Sequence, residues 1–174
     1  MDTRISDAWV QEVQIREAEF ADLPAMEWEG EFKHFRNLYA EAYRRTQRKL
    51  SVIWLALLPQ TGLIGQVFVQ LNSERPEMAD GKDRAYLYGF RIRPSYRRQG
   101  LGTRMMTHVE DDLRWRGFTR LTLNVAVDNL QAQKLYARLG YEVVAPEPGI
   151  WSYIDHLGRR RWVEEPAFRM EKHL

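Results

Sequence analysis

Arg97-Arg98-Gln99-Gly100-Leu101-Gly102 sets two arginines and two glycines where a strand gives way to a helix. Glycine has no Cβ, so the main chain at Gly100 and Gly102 can come close to a bulky anion. The first turn of a helix adds unbonded N–H groups and a partial positive charge at the same spot. Such a combination suits a pyrophosphate. Other phosphate motifs do not fit. A dinucleotide fingerprint needs a third glycine where this chain has Met105, and no G-x-x-x-x-G-K-[ST] run occurs.

Other candidate chemistry is sparse. The chain has no cysteine, which removes disulfides, thiolate metal sites and a cysteine acyl-enzyme. His34, His108, His156 and His173 lack metal-ligand spacing and are expected at the surface, so no metal is expected. Asp155-His156 precedes Leu157-Gly158 and reads as a hairpin turn rather than an acid–base pair. Trp28, Tyr39 and Trp151 are candidates for a substrate pocket, with core packing as the simpler role of each. Tyr136 lies on the apolar face of its helix and, by periodicity alone, reads as a core tyrosine.

The elements around these residues alternate along the chain. Residues 10–15 form a short strand candidate, and a helix is expected from Leu23, with Asp22 as its cap and Pro24 in its first turn. Helical spacing predicts a second helix over 32–47 and strands over 52–57 and 63–71. Residues 72–84 read as a polar, exposed hairpin loop. The strand over 86–92 ends at Pro94, and the helix from near Thr103 repeats an apolar residue every four positions until Gly117. A strand over 121–127 follows, then a helix capped by Asp128 with Gln131, ending at Gly140. The tail reads as strands over 141–144, 150–154 and 168–172. One mixed α/β (α+β) domain over 1–174 fits this order.

Bulk properties agree with an ordinary globular chain. Hydrophobic residues make up 44% of the 174 and charged residues 29%. A net charge of +2 is too small to argue for nucleic acid by itself, and the basic helix around Arg44 and Lys49 carries Tyr39, Ala42 and Tyr43 as a packed helix would, so no nucleic-acid partner is expected. No run approaches the ~18 apolar residues of a membrane span, and the first residues do not open a signal peptide, so no membrane association and a cytoplasmic location are expected.

Two motifs in register carry a family resemblance. Arg97-Arg98-Gln99-Gly100-Leu101-Gly102 follows Ile92-Arg93-Pro94, and Asn129-Leu130-Gln131-Ala132-Gln133-Lys134-Leu135-Tyr136-Ala137-Arg138-Leu139-Gly140-Tyr141 lies downstream. Both resemble the acetyl-CoA signature and the Asn-x-x-Ala-x-x-Leu-Tyr-x-x-x-Gly-Phe/Tyr segment of the GCN5-related N-acetyltransferases (the GNAT superfamily). The resemblance implies a mostly antiparallel central sheet flanked by helices. It also implies an acetyl-CoA-dependent enzyme that acetylates a primary amine of a small molecule or peptide by direct transfer. A homodimer is left open.

Residue roles follow from the same resemblance. The main chain of Phe90, Arg91 and Ile92 would run beside the pantetheine arm, and an N–H such as that of Ile92 would stabilise the oxyanion. Arg98, Gln99, Gly100, Leu101, Gly102 and Thr103 would wrap the pyrophosphate, with Arg97 adding affinity. Asn129 would touch the pantetheine arm. Tyr136 would sit at the thioester sulfur and protonate the departing thiolate as general acid. Ribosomal-protein acetyltransferases of the superfamily carry a glutamate base where this chain has Asn124 in Leu123-Asn124-Val125-Ala126. Glu29, Glu31 or a water chain are the substitutes, and a silent CoA-binding sensor or assembly module is the alternative reading.

Overall fold

The computed structural model describes residues 8–174. Strand β2 (Ser51–Leu58) shows how the core is organised. Its side chains alternate between two apolar layers, Val52 and Ala56 on one face, Ile53 and Leu55 on the other. A strand buried on both faces needs cover on both. Helix α3 (Leu101–Trp115) and helix α4 (Leu130–Arg138) cover the first face. Helix α2 (Arg36–Gln47) and the 3-10 segment Phe20–Glu27 cover the second. On α3 the four-residue repeat Leu101, Met105, Val109 and Leu113 is almost fully buried, each side chain contributing about 1.5–3 kcal/mol of transfer free energy.

Seven strands form the sheet in the order β1-β2-β3-β4-β5-β9-β6. Besides β2 these are β1 (Gln14–Glu17), β3 (Gly62–Gln70), β4 (Arg84–Ile92), β5 (Arg120–Ala126), β6 (Glu142–Glu147) and β9 (Ala167–His173). Every neighbouring pair is antiparallel except β4 and β5, which run parallel. Strands β7 (Ile150–Ile154) and β8 (Arg160–Glu164) make a separate two-stranded ribbon. The mixed, mostly antiparallel sheet between helices agrees with the expected fold class. Among the described residues no helix is long and apolar enough to cross a membrane.

Several local expectations are corrected. Residues 10–15 are not one strand: helix α1 (Ala8–Glu12) precedes β1. Tertiary contact decides this, because Trp9 packs edge-on against Tyr96 at 5.4 Å and donates to Gln99 Oε1 at 3.1 Å. The Arg104 guanidinium also donates to the Val10 carbonyl. Asp22 is not a helix cap but sits inside the 3-10 segment, where its carboxylate accepts the Glu19 N–H and clamps Arg16 at 2.7 and 2.9 Å. Pro24, lacking a donor, disfavours an α-helix there.

The helix expected over 32–47 begins as a 3-10 turn, Lys33–Phe35, before α2. The 72–84 connection is not wholly exposed: Met78 and Ala79 are buried, and the Thr122 hydroxyl lies 2.6 Å from the Met78 carbonyl. Helix α3 starts at Leu101, two residues before Thr103. Strand β8 lies outside the strands expected from the sequence.

Candidate active site

Strands β4 and β5 pair only from Arg84 opposite Arg120 to Leu87 opposite Leu123. Beyond that point the two strands separate, and Gly89 explains why. Two steps on β3, Gln66 to Phe68, face three on β4, Arg91 to Tyr88, so β4 carries a bulge. Gly89 sits in it at φ +59, where a Cβ would lie 2.7 Å from Phe68 Cδ2. Only glycine fits that turn without displacing the ring. The result is a fork in the middle of the sheet with main chain on both edges.

The β4 edge offers peptide groups to the fork. The Arg93 N–H donates to the Ile64 carbonyl on β3 at 2.8 Å, so by strand alternation the Ile92 peptide group faces the other way. Its carbonyl accepts Arg97 Nε at 2.6 Å, which fixes that guanidinium against the strand end rather than leaving it free. Phe90 and Ile92 send their side chains into the α3-side core. Alternation then puts Arg91 on the opposite face. Its guanidinium lies 4.6 Å from the centre of the Phe32 ring and 5.3 Å from that of Phe35, with Nη1 3.4 Å from the Tyr39 hydroxyl.

The glycine loop follows at the mouth of the fork. Arg98 has φ +61 and Gly100 φ +97, two left-handed residues in three. Holding a non-glycine there costs of order 1 kcal/mol or more, a strain that concentrates at ligand clamps. Gln99 braces the loop by donating to the Ser95 carbonyl at 3.1 Å. The backbone N–H groups of Arg98, Gln99, Gly100, Leu101, Gly102 and Thr103 donate to no acceptor among the described residues; the helical ladder starts with Arg104 to Gly100. Arg97, Arg98 and Gly100 are exposed, and nothing lies within 4 Å of where a Gly100 Cβ would point. Six successive amides with no acceptor among the described residues, at the start of a helix, fit a diphosphate.

Helix α4 forms the far wall. Its cap is Asn129, not Asp128: Asn129 Oδ1 accepts the Ala132 N–H at 3.1 Å, which leaves its amide donors for other partners. Tyr136 is buried, its ring edge-on to Tyr141 at 5.8 Å. Burial, and then the nearby Tyr86 hydroxyl, push Tyr136 well above the ordinary phenol range. Tyr86 itself is pushed up to about 12, chiefly by burial. On β5, Asn124 Oδ1 is buried with no hydrogen-bond partner among the described residues.

The two candidate bases differ in their surroundings. Glu29 is exposed and holds Arg93 through two bonds of 2.8 and 2.9 Å, so the hydrogen-bonded guanidinium keeps its carboxyl below the usual range. Glu31 is exposed. No local motif marks Glu147, which the fold buries between Arg75 at 3.0 Å and Arg169 at 3.1 Å.

On the second face an aromatic wall gathers. Phe35 lies 6.4 Å from Trp151 and 5.0 Å from Tyr153, both on the ribbon. Trp28 and Tyr39 are instead core residues bridged by Gln66, at 3.2 Å to each. Asn37 Nδ2 donates to the Asp155 carbonyl at 2.8 Å and ties the ribbon to α2.

Asp155 is a turn residue, as its neighbours imply. Its carboxylate accepts the Leu157 and Arg159 N–H groups and Arg161 Nε, each at 2.9 Å. These bonds, the Arg159 N–H first, hold it at about 2. The histidines depart from expectation: His34, His108 and His156 are half-buried, and only His173 is exposed. His108 packs edge-on to Trp54 at 4.3 Å, and burial lowers it. Among the described residues no group of three acidic or histidine side chains could hold a metal.

Known proteins share this fold. The acetyltransferase (GNAT) family model matches residues 13–141. A 59-residue stretch is 41% identical to the ribosomal protein bS18-alanine N-acetyltransferase of Escherichia coli (strain K12). That match spans 34% of this chain and 40% of the relative. The fold of the Escherichia coli ribosomal-protein-S18-alanine N-acetyltransferase superposes with a TM-score of 0.68 at 22% identity, over 92% of this chain and 93% of that one. A spermidine/spermine N-acetyltransferase from Vibrio cholerae, solved with manganese ions, gives 0.69 at 18% identity over 95% of both chains. With the family model covering most of its length and the forked sheet and glycine loop in place, the chain belongs to the acetyltransferase (GNAT) family.

Proposed function

We propose that this protein is an acetyl-CoA-dependent N-acetyltransferase that passes the acetyl group directly to a primary amine of a small molecule or peptide. The observation that carries this reading is the run of six unpaired amides, residues 98–103, at the mouth of the β4/β5 fork. These amides would hold the pyrophosphate, with the exposed Arg98 adding charge. Arg97, already bonded to the Ile92 carbonyl, would present its remaining N–H groups to the same anion. The main chain of Phe90, Arg91 and Ile92 would line the pantetheine arm, and the Asn129 amide donors would face it.

Acetyl-CoA supplies an acyl group on a thioester. The chain's residues do the rest. The inward-facing Ile92 N–H is placed to favour negative charge developing on the acyl oxygen. Tyr136, kept protonated by burial, gives its proton to the departing thiolate. Asn124 cannot take a proton from the amine, and Glu29 and Glu147 are both tied to arginines. On this reading the amine loses its proton to water, with exposed Glu31 the one candidate carboxylate that forms no ion pair among the described residues, and the orphaned Asn124 Oδ1 is an acceptor that can orient that water.

Calorimetry with acetyl-CoA, followed by thiol release over a panel of amines, tests the reading. Binding at micromolar to sub-millimolar cofactor and turnover on at least one amine are expected; no binding at millimolar cofactor would refute it. Asn124 standing where related enzymes carry glutamate favours one rival, a CoA-binding module without turnover. Tight binding with no acetylated product from any amine would support that rival.

A further inference from the structure

We infer that the acceptor is a small amine bearing a carboxylate, of the amino-acid class, and that the Arg91 side chain captures that carboxylate. The inference rests on the acetyl-transfer reading above and names its substrate class. Arg91 stands between Phe90 and Ile92, whose peptide groups edge the fork, yet its side chain emerges on the opposite face of the sheet from α3. It therefore lies on the face of that edge that α3 and α4 leave uncovered, beside Phe32 and Phe35.

The guanidinium there is under-used. Of its five donors, one reaches an acceptor among the described residues, the Tyr39 hydroxyl, and at 3.4 Å that bond is long. No carboxylate lies within ion-pair distance of it among the described residues. The surrounding arginines differ: Arg36 pairs with Glu27, Arg93 with Glu29, Arg75 and Arg169 with Glu147, and Arg161 with Asp155. Those acids already have their cations, whereas Arg91 forms no ion pair among the described residues. Phe32 and Phe35 hold it in place by stacking but cannot neutralise it.

A half-buried charge of this kind attracts an anion and repels a cation. The rings of Phe35, Trp151 and Tyr153 extend the same wall toward the ribbon and suit an apolar body. A polyamine, carrying several positive charges, would meet Arg91 with like-charge repulsion. An amino acid presents an amine to the fork, a carboxylate to Arg91 and a side chain to the rings.

The test uses matched pairs, L-phenylalanine against L-phenylalaninamide and L-methionine against L-methioninamide, with spermidine as a third acceptor. Rates at saturating acetyl-CoA are referred to the deprotonated amine, because amidation lowers the amine pKa. Calorimetric titration of each compound into the CoA-loaded protein gives a reading that needs no turnover. The acids should exceed the amides about tenfold in kcat/KM and in affinity. R91Q should raise KM for the acids until the pairs converge, and R91K should restore part of the gap. Equal rates and affinities for acids and amides, a preference for spermidine, or an acid/amide ratio that survives R91Q would overturn the inference alone. Failure to bind acetyl-CoA would overturn the enzyme reading and this one with it.

Discussion

A phenol buried as Tyr136 is keeps its proton through the whole range in which an amine becomes nucleophilic. Burial disfavours the phenolate, so the hydroxyl titrates above its ordinary value, and the group is protonated at every pH below that. The activity profile should therefore climb as the amine deprotonates, roughly between pH 8 and 10. It should show no fall from Tyr136 up to about pH 10. A stopped assay across that range, with a correction for the free amine, checks the sign. Tyr136→Phe should lower kcat about a hundredfold or more while leaving acetyl-CoA affinity unchanged by calorimetry. An unaltered kcat would remove Tyr136 from the chemistry and leave it as the core tyrosine its periodicity describes. Asn124 makes the complementary point. On the proposed reading its side chain has no basic atom to take the amine's proton, and the alkaline climb is the kinetic trace of that.

At the scale of elements, the ribbon β7–β8 is joined to the sheet through Gly149. A Cβ there would lie 1.7 Å from the Glu165 carbonyl oxygen, and φ is +67. Gly149→Ala must push the ribbon away from the 165–166 backbone, carrying Trp151 and Tyr153 with it. We expect a loss of about 1–3 kcal/mol in stability. Acceptor kcat/KM should fall by up to about 10²-fold, with acetyl-CoA binding retained. Thermal melting beside calorimetry separates the two effects.

The sequence made some elements plain and hid others for physical reasons. The four-residue repeat of α3 and its stop at Gly117 were legible because the apolar period and the C-terminal glycine agree. Strands β2, β3 and β4 were placed to within two residues. Residues 10–15 misled because Trp9 and Val10 answer to Tyr96, Gln99 and Arg104, far along the chain. The glycine loop and Tyr136 could be read from local motifs. Arg91 as a side chain and Glu147 could not, since their surroundings come from α2, β9 and the 72–84 connection.

For the whole molecule, a sheet with cores on both faces leaves a charged mouth at one side of the fork. The net charge is only +2, yet Arg97 and Arg98 are exposed there and form no ion pair among the described residues. Raising ionic strength from 0.1 to 1 M shortens the Debye length from about 10 to about 3 Å. Acetyl-CoA affinity should weaken over that range, whereas the acid/amide preference at half-buried Arg91 should change less. Isothermal titration at several salt concentrations checks both. The fork has a further consequence. One of its borders is made of peptide groups set by a bulge and a few glycines, while the opposing wall is made of interchangeable rings and one guanidinium. On the proposed reading, a lineage could exchange those rings and retrain its diet while inheriting the same acyl currency, because the grip on the donor scarcely depends on which side chains it spells.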